Sequence, residues 1–311
     1  MSDELRHFAP VNFGEIKAQQ QAWDEFAPEY YQVEQDSTIA YVPQVLAYLQ
    51  RAQLLPAAAV PLLDLGGGTG RFALPLAASG VKVHVVDFSA AMLAILAKRW
   101  QKARQVGQRK QTAQSKWDAA TEHGKQTGPT ERVTAANILA AARSTETQPA
   151  ERLTWEQASW QKLVQQRVRY PVVFVSMLPE LSVMSLRQVS MLATQRLLVL
   201  RLTQAEDELL TPLLRQLALP PERPEVDPHC LDQYQRGLTA DFAKIQQVHF
   251  DFVSEEKLTE SELLAYLHDY PEMTRDKLAQ AQQVLAPHIN AGELSLQQHY
   301  RFSLLVAQRH C

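Results

Sequence analysis

The chain has 311 residues, 46% of them apolar and 21% charged, which is material for one large domain or two small ones. A net charge of −3 excludes a global field that would select nucleic acid or an acidic membrane. Two cysteines, Cys230 and Cys311, lie far apart without a C-x-x-C spacing, so neither a disulfide framework nor a zinc site is expected. The opening Met1 to His7 lacks an apolar signal region, and no stretch reaches the ~18 consecutive apolar residues of a membrane span. A cytoplasmic protein without a metal is therefore expected.

Residues 12–55 read as an N-terminal helical cap. Trp23, Phe26 and Tyr30, spaced i, i+3 and i+7, make an apolar helix stripe. Val42 to Leu55 predicts a helix packed on a sheet through Val45, Leu46, Leu49 and Leu54, closed by Leu55-Pro56. Val60 to Leu65 is a short apolar run suited to a buried parallel strand. Gly66, Gly67, Gly68 and Gly70 follow, so the backbone can turn sharply and a ligand can lie almost against it. Arg71 to Ser79 continues as a helix that tolerates Pro75 in its first turns and stops at Gly80. Val81 to Val86 is a second strand with Asp87 at its carboxyl end. A loop and an acid at the carboxyl ends of adjacent parallel strands are where open α/β sheets bind nucleotide-like ligands.

Phe88 to Trp100 predicts a helix with Ser89 as its N-cap. The stretch 101–151 is rich in Gln, Lys, Arg, Thr and Ala and poor in large apolar residues. It reads as a polar insertion, either helical or disordered. Apart from Trp117 it interleaves no aromatic residue with its basic ones, so no stacking platform for nucleic acid is evident. Leu153 to Trp160 gives a third strand and its turn, and Tyr170 to Pro179 a fourth, opened by Pro171 and buried on both faces. A helix over Leu186–Thr194 and a fifth strand over Arg196–Leu202 follow. Residues 205–245 contain a helix over Glu208–Leu217 and then a Pro-rich irregular stretch, a candidate substrate lid carrying His229, Tyr234 and Arg236. Val248 to Val253 alternates as a strand. Helices over Thr259–Tyr270, with a Thr259–Glu262 capping box, and over Arg275–Leu285 precede a last strand, His299 to Ala307. His249, His268 and His299 read as surface residues.

The glycine spacing separates two cofactor classes. The dinucleotide fingerprint needs a third small residue where this chain has Arg71, which opposes a nicotinamide-dependent oxidoreductase. What stands here is Asp64-Leu-Gly66-Gly-Gly68-Thr-Gly70, followed by Asp87-x-Ser89-x-x-Met92-Leu93. Both segments resemble the class I S-adenosylmethionine (SAM)-dependent methyltransferases of small-molecule type. That resemblance implies that Gly66, Gly67, Gly68 and Gly70 line the cofactor, with Asp64 beside its amino acid end. It gives Asp87 the ribose hydroxyls, puts Phe88 at the edge of the adenine pocket and counts Ser89 among the cofactor-binding residues. Trp23-Asp-x-x-Ala27-x-x-Tyr30 resembles the segment that folds over SAM in that family, so Tyr30 and Tyr31 are candidates for the methionine end or the substrate. Equally, the stripe is simply a packing face. Ser159 stands where many members have an aspartate for the adenine amino group, and Trp160 either lies beside the purine or only packs. Ser176, Met177 and Glu180 fall where the reacting methyl group is expected. Glu180 is the only obvious proton acceptor there, or else a solvated helix-start residue.

These readings converge on an α/β protein of one domain spanning 1–311: a Rossmann-like, seven-stranded, mostly parallel sheet with helices on both faces and an antiparallel C-terminal strand pair. The implied activity is methyl transfer from SAM to a small-molecule acceptor, with nucleic acid and membranes not expected as partners. Ser159, and the lack of a convincing base beyond Glu180 and Tyr30, keep a second reading open: a regulator or scaffold of the same fold, SAM-binding or degenerate, without catalysis.

Overall fold

Leu62, Leu63, Asp64 and Leu65 have at most 2% of their surface exposed, so the first strand, β1 (Leu62–Leu65), is buried on both faces. Such a strand needs neighbours on either side and helices above and below it. The computed structural model describes residues 16–36, 39–121, 152–178, 181–221 and 226–310. Beside β1 run β2 (Val83–Asp87), β3 (Leu153–Gln157), β4 (Tyr170–Ser176) and β5 (Ala193–Asp207), these five parallel to one another. The sheet is completed by β6 (Lys244–Thr259) and β7 (Glu293–Gln308), which is antiparallel to both β5 and β6. The order across seven strands is β3-β2-β1-β4-β5-β7-β6. This is the expected mixed sheet with its antiparallel ending. It reverses direction of strand succession between β1 and β4, so a crevice opens at the carboxyl ends of those two strands.

Alternation along the strands divides the core into two layers. Leu62, Val83, Val85 and Phe174 face one side, where α2 (Tyr41–Arg51), α3 (Ala73–Ala78) and α4 (Ala90–Thr121) pack. Leu63, Leu65, Val173 and Val175 face the other, against α5 (Trp160–Gln165), α6 (Val183–Ser190) and α8 (Cys230–Leu238). A third cluster sits beyond the ordinary end of the sheet. There α7 (Leu210–Gln216), α9 (Glu260–His268) and α10 (Arg275–Leu285) bury Leu210, Leu214, Leu263, Leu267 and Leu285 against the far ends of β6 and β7. The N-terminal helix, α1 (Ile16–Asp36), packs across α4.

Several boundaries differ from expectation. α4 continues through Thr121 into the polar insertion, whose residues 122–151 lie outside the described residues. α6 begins at Val183 because Ser182 caps it, accepting from the Ser185 amide. Tyr234 does not sit in a lid. It is 5% exposed on α8, among Leu231 and Leu238 in the second layer, and its hydroxyl donates to the Leu181 carbonyl. His229 and Arg236 are exposed on the same helix and its approach. No helix among the described residues is long and apolar enough to cross a membrane.

Candidate functional site

The crevice at the carboxyl ends of β1, β2 and β4 is a cavity of about 1120 Å3, its open mouth included. Its floor is the loop Leu65 to Thr69, and its sides come from α1, α2, the ends of β2 and β4, and the start of α5. The loop is tied to the sheet by the Gly66 amide, which donates to the Val86 carbonyl at 2.7 Å. Gly68 has φ +51 and lines the cavity, and a Cβ there would lie 3.8 Å from Met92 Sδ and 3.9 Å from Asp87 Oδ2.

Of the residues expected at a cofactor site, Gly66, Gly67, Gly68, Asp87, Phe88, Ser159, Trp160 and Ser176 all line this one cavity, and so do Tyr30 and Met177. Asp87 is held by two backbone amides: Gly68 donates to Oδ2 at 2.9 Å and Ser89 to Oδ1 at 2.8 Å. Burial pushes its carboxyl up to about 6 against those amides, which favour the charge. Asp64 lies behind the loop at 1% exposure, and among the described residues neither carboxylate oxygen has a hydrogen-bond partner. A Cβ on Gly67 would fall 2.7 Å from Asp64 Oδ2, so the loop passes directly over this carboxylate. Burial first, and the nearby Asp87 charge second, raise Asp64 to about 7. Met177 turns the chain at the end of β4 with φ +54, and the Arg201 side chain donates to the next carbonyl, that of Leu178.

Other expected residues stand elsewhere. Gly70 is buried away from the cavity wall, with φ +85, and a Cβ there would lie 2.3 Å from Leu96 Cδ1 of α4. Its role in the structure is helix packing. Ser89 is wholly buried and caps α4, its hydroxyl accepting from the Met92 amide at 3.1 Å. Ser159 caps α5 by accepting from the Lys162 amide. Tyr31 lies under the Arg99 guanidinium, 5.1 Å from ring centroid to Cζ. Glu180 lies outside the described residues.

Four further participants are assigned no role by the motifs. Arg71 and Tyr41 line the cavity, and the Arg71 guanidinium donates to the Tyr41 hydroxyl and sits 5.3 Å from that ring's centre. Glu34 accepts the Thr69 hydroxyl on Oε2, and Arg99 Nη1 lies 2.7 Å from its Oε1. Asp24 accepts from the Ser89 hydroxyl and the Ala91 amide. Asp24 and Glu34 are charged residues on a helix otherwise read from its aromatic stripe, and their partners are distant in sequence. Burial raises the Tyr30 and Tyr41 hydroxyls, so both stay protonated donors at neutral pH.

Residues 62–125 match the family model described as a methyltransferase domain. No curated protein matches the chain. Among solved structures, magnesium protoporphyrin IX methyltransferase from Synechocystis, with bound SAH, aligns at 14% identity over 95% of this chain and 100% of its own, TM-score 0.49. Geranyl diphosphate C-methyltransferase from Streptomyces coelicolor aligns at 12% identity over 91% of this chain and 81% of its own, TM-score 0.42.

Proposed function

We propose, from the premise that this chain carries a class I SAM-dependent methyltransferase domain, that it transfers the methyl group of SAM to a small-molecule acceptor. The observation that carries the reading is the pairing of the glycine loop with Asp87 across one cavity at the strand-order reversal. The residues present fit the cofactor. Asp64 is a buried carboxylate with both oxygens unpartnered, which suits an ammonium or a cation nearby. Asp87, fixed by Gly68 and Ser89 amides, retains lone pairs for hydroxyl donors such as those of a ribose. Phe88 and Trp160 offer flat apolar faces for a purine, and Ser159 stands beside them.

When bound, SAM supplies an activated methyl group on a sulfonium leaving group. The protein's share is then to orient the acceptor and exclude water. Ser176 and Met177, at the end of β4, line the part of the cavity nearest the sheet's reversal and are the acceptor-facing residues in this reading. The described cavity wall is largely aromatic and aliphatic, through Trp23, Tyr30, Phe88, Trp160, Met177 and Leu178, which suits a small organic acceptor better than a charged polymer.

The second reading, a cofactor-binding regulator of the same fold, draws on Ser159: its side chain already caps α5, leaving the adenine amino group without a charged acceptor there. Calorimetric titration with SAM and S-adenosylhomocysteine, beside Asp87→Ala, tests both. Micromolar binding that the variant loses supports the cofactor site, and turnover on any acceptor then selects the enzyme. A folded wild-type protein that binds neither ligand refutes the enzyme and favours a degenerate scaffold of the same fold.

A further inference from the structure

The cavity wall built by α1, α2 and the loop before α3 holds a positive charge that the preceding reading leaves unused. Two guanidiniums share one carboxylate there. Arg99 Nη1 is 2.7 Å from Glu34 Oε1, while Arg71 Nε is 4.0 Å from the same oxygen. The other oxygen, Oε2, accepts the Thr69 hydroxyl. Glu34 is therefore committed to Arg99 and Thr69, and the trio of Arg71, Arg99 and Glu34 keeps one cation in excess. The excess belongs to Arg71, because it lines the cavity and Arg99 and Glu34 do not.

A guanidinium carries five N–H donors in a planar fork. Among the described residues the one acceptor within hydrogen-bond reach of Arg71 is the Tyr41 hydroxyl. The side chain is 16% exposed, so it is largely withdrawn from solvent while its fork remains under-used. A cation so placed is costly without an anion beside it. The loop beside the cavity holds the opposite imbalance: among the described residues Asp64, buried behind the loop, has no hydrogen-bond partner, and Asp87, which lines the cavity, has only backbone amides. The site is thus dipolar, with an excess cation on one wall and uncompensated carboxylates at the loop.

We propose that Arg71 anchors the carboxylate of the cofactor's amino acid end, with Tyr41 holding the guanidinium in place. The inference rests on the cofactor reading above and adds to it a residue that the glycine motif does not specify. An acidic acceptor would offer the same carboxylate chemistry, so the test must separate the two sources.

The test is calorimetric titration of the full chain with SAM and with decarboxylated SAM, which lacks only that carboxylate. The wild-type protein is expected to prefer SAM on the order of 10- to 100-fold, as for a hydrogen-bonded charged pair. In Arg71→Met the preference falls to within about twofold while affinity for the decarboxylated ligand is kept. Arg71→Lys, which retains the charge without the fork, keeps part of the preference and carries the test should the methionine variant not fold. Equal weakening of both ligands would assign Arg71 a structural role and overturn the proposal. A preference for SAM that stays at the wild-type level in Arg71→Met, or in Arg71→Lys, would overturn it too, leaving Arg71 to an anionic acceptor. Wild-type protein that binds both ligands equally defeats only the anchor, whereas wild-type protein that binds neither defeats the cofactor reading itself.

Discussion

Asp24 Oδ1 lies 2.6 Å from the Ser89 hydroxyl and 3.0 Å from the Ala91 amide, so a carboxylate on α1 completes the cap of α4. Ser89 in turn accepts from the Met92 amide. A negative group at a helix N-terminus is favourable twice over, by satisfying an orphan amide and by meeting the helix dipole. The contact also pins α1 over the cavity, since Trp23 and Tyr30 on the same helix line it. Asp24→Ala is expected to cost about 1 kcal/mol, the usual loss of a cap. Hydrogen exchange at Ala91 and along α1 should quicken, and Asp24→Asn should restore most of the protection. Unchanged exchange in Asp24→Ala would show that the aromatic stripe alone docks the helix.

Gly70 makes a separate case, because motif and structure give it different work. The resemblance places it on the cofactor, whereas its φ of +85 and the 2.3 Å approach of a Cβ to Leu96 mark a packing position. Gly70→Ala must strain the backbone and displace Leu96, a loss of about 2–4 kcal/mol. The expected result is a lowered Tm with ligand affinity kept in the protein that remains folded. Lost affinity at unchanged Tm would return Gly70 to the cofactor wall.

How far the fold was legible follows from which interactions were local. Strand, glycine loop, helix, strand and acid lie within Val60 to Asp87, and their order in sequence is their order at the site. The Thr259–Glu262 capping box was equally local and is present. The antiparallel strands were read too short: Val248–Val253 against Lys244–Thr259, and His299–Ala307 against Glu293–Gln308. Their outer halves are mostly polar, with Leu258, Leu294 and Leu296 as their core contacts in the third cluster, and pairing with each other supplies what propensity does not. Tyr234 was misplaced for the opposite reason. The Pro-rich stretch before it suggested an irregular lid, while Cys230, Leu231, Tyr234 and Leu238 form an amphipathic face on the sheet. Glu34, Arg71 and Arg99 could not be joined by any local pattern, because their proximity exists only once α1 crosses α4.

The two buried acids set a pH dependence of defined sign. Asp64 and Asp87 are raised to about 7 and about 6, mainly by burial, from an ordinary carboxylate value near 3.8. Between the unfolded and folded values the native state binds more protons, so their contribution to stability declines as pH rises through that window. Ligand-free protein should therefore have a higher Tm at pH 6 than at pH 8, and Asp64→Asn should flatten that slope. A cationic ligand favours the ionised acids, so stabilisation by SAM should grow over the same interval. A ligand-free slope unchanged in Asp64→Asn would place the proton uptake elsewhere.

Arg99 provides a prediction at a distance from the cavity. It grips Glu34 at 2.7 Å, and that grip is what leaves Arg71, at 4.0 Å, without a close carboxylate. In Arg99→Met, Glu34 loses its nearer cation, and among the described residues Arg71 becomes the one guanidinium within reach of it. The fork then turns inward to an internal pair, and the excess positive charge on the cavity wall disappears. Preference for SAM over its decarboxylated analogue should fall roughly three- to tenfold, although Arg99 lines no part of the cavity. Glu34→Gln in the same background removes the competing carboxylate and should restore the preference, since Arg71 again lacks a nearby carboxylate. A preference indifferent to both changes would mean that Glu34 and Arg71 do not compete, and that the 4.0 Å separation is fixed by packing rather than by Arg99.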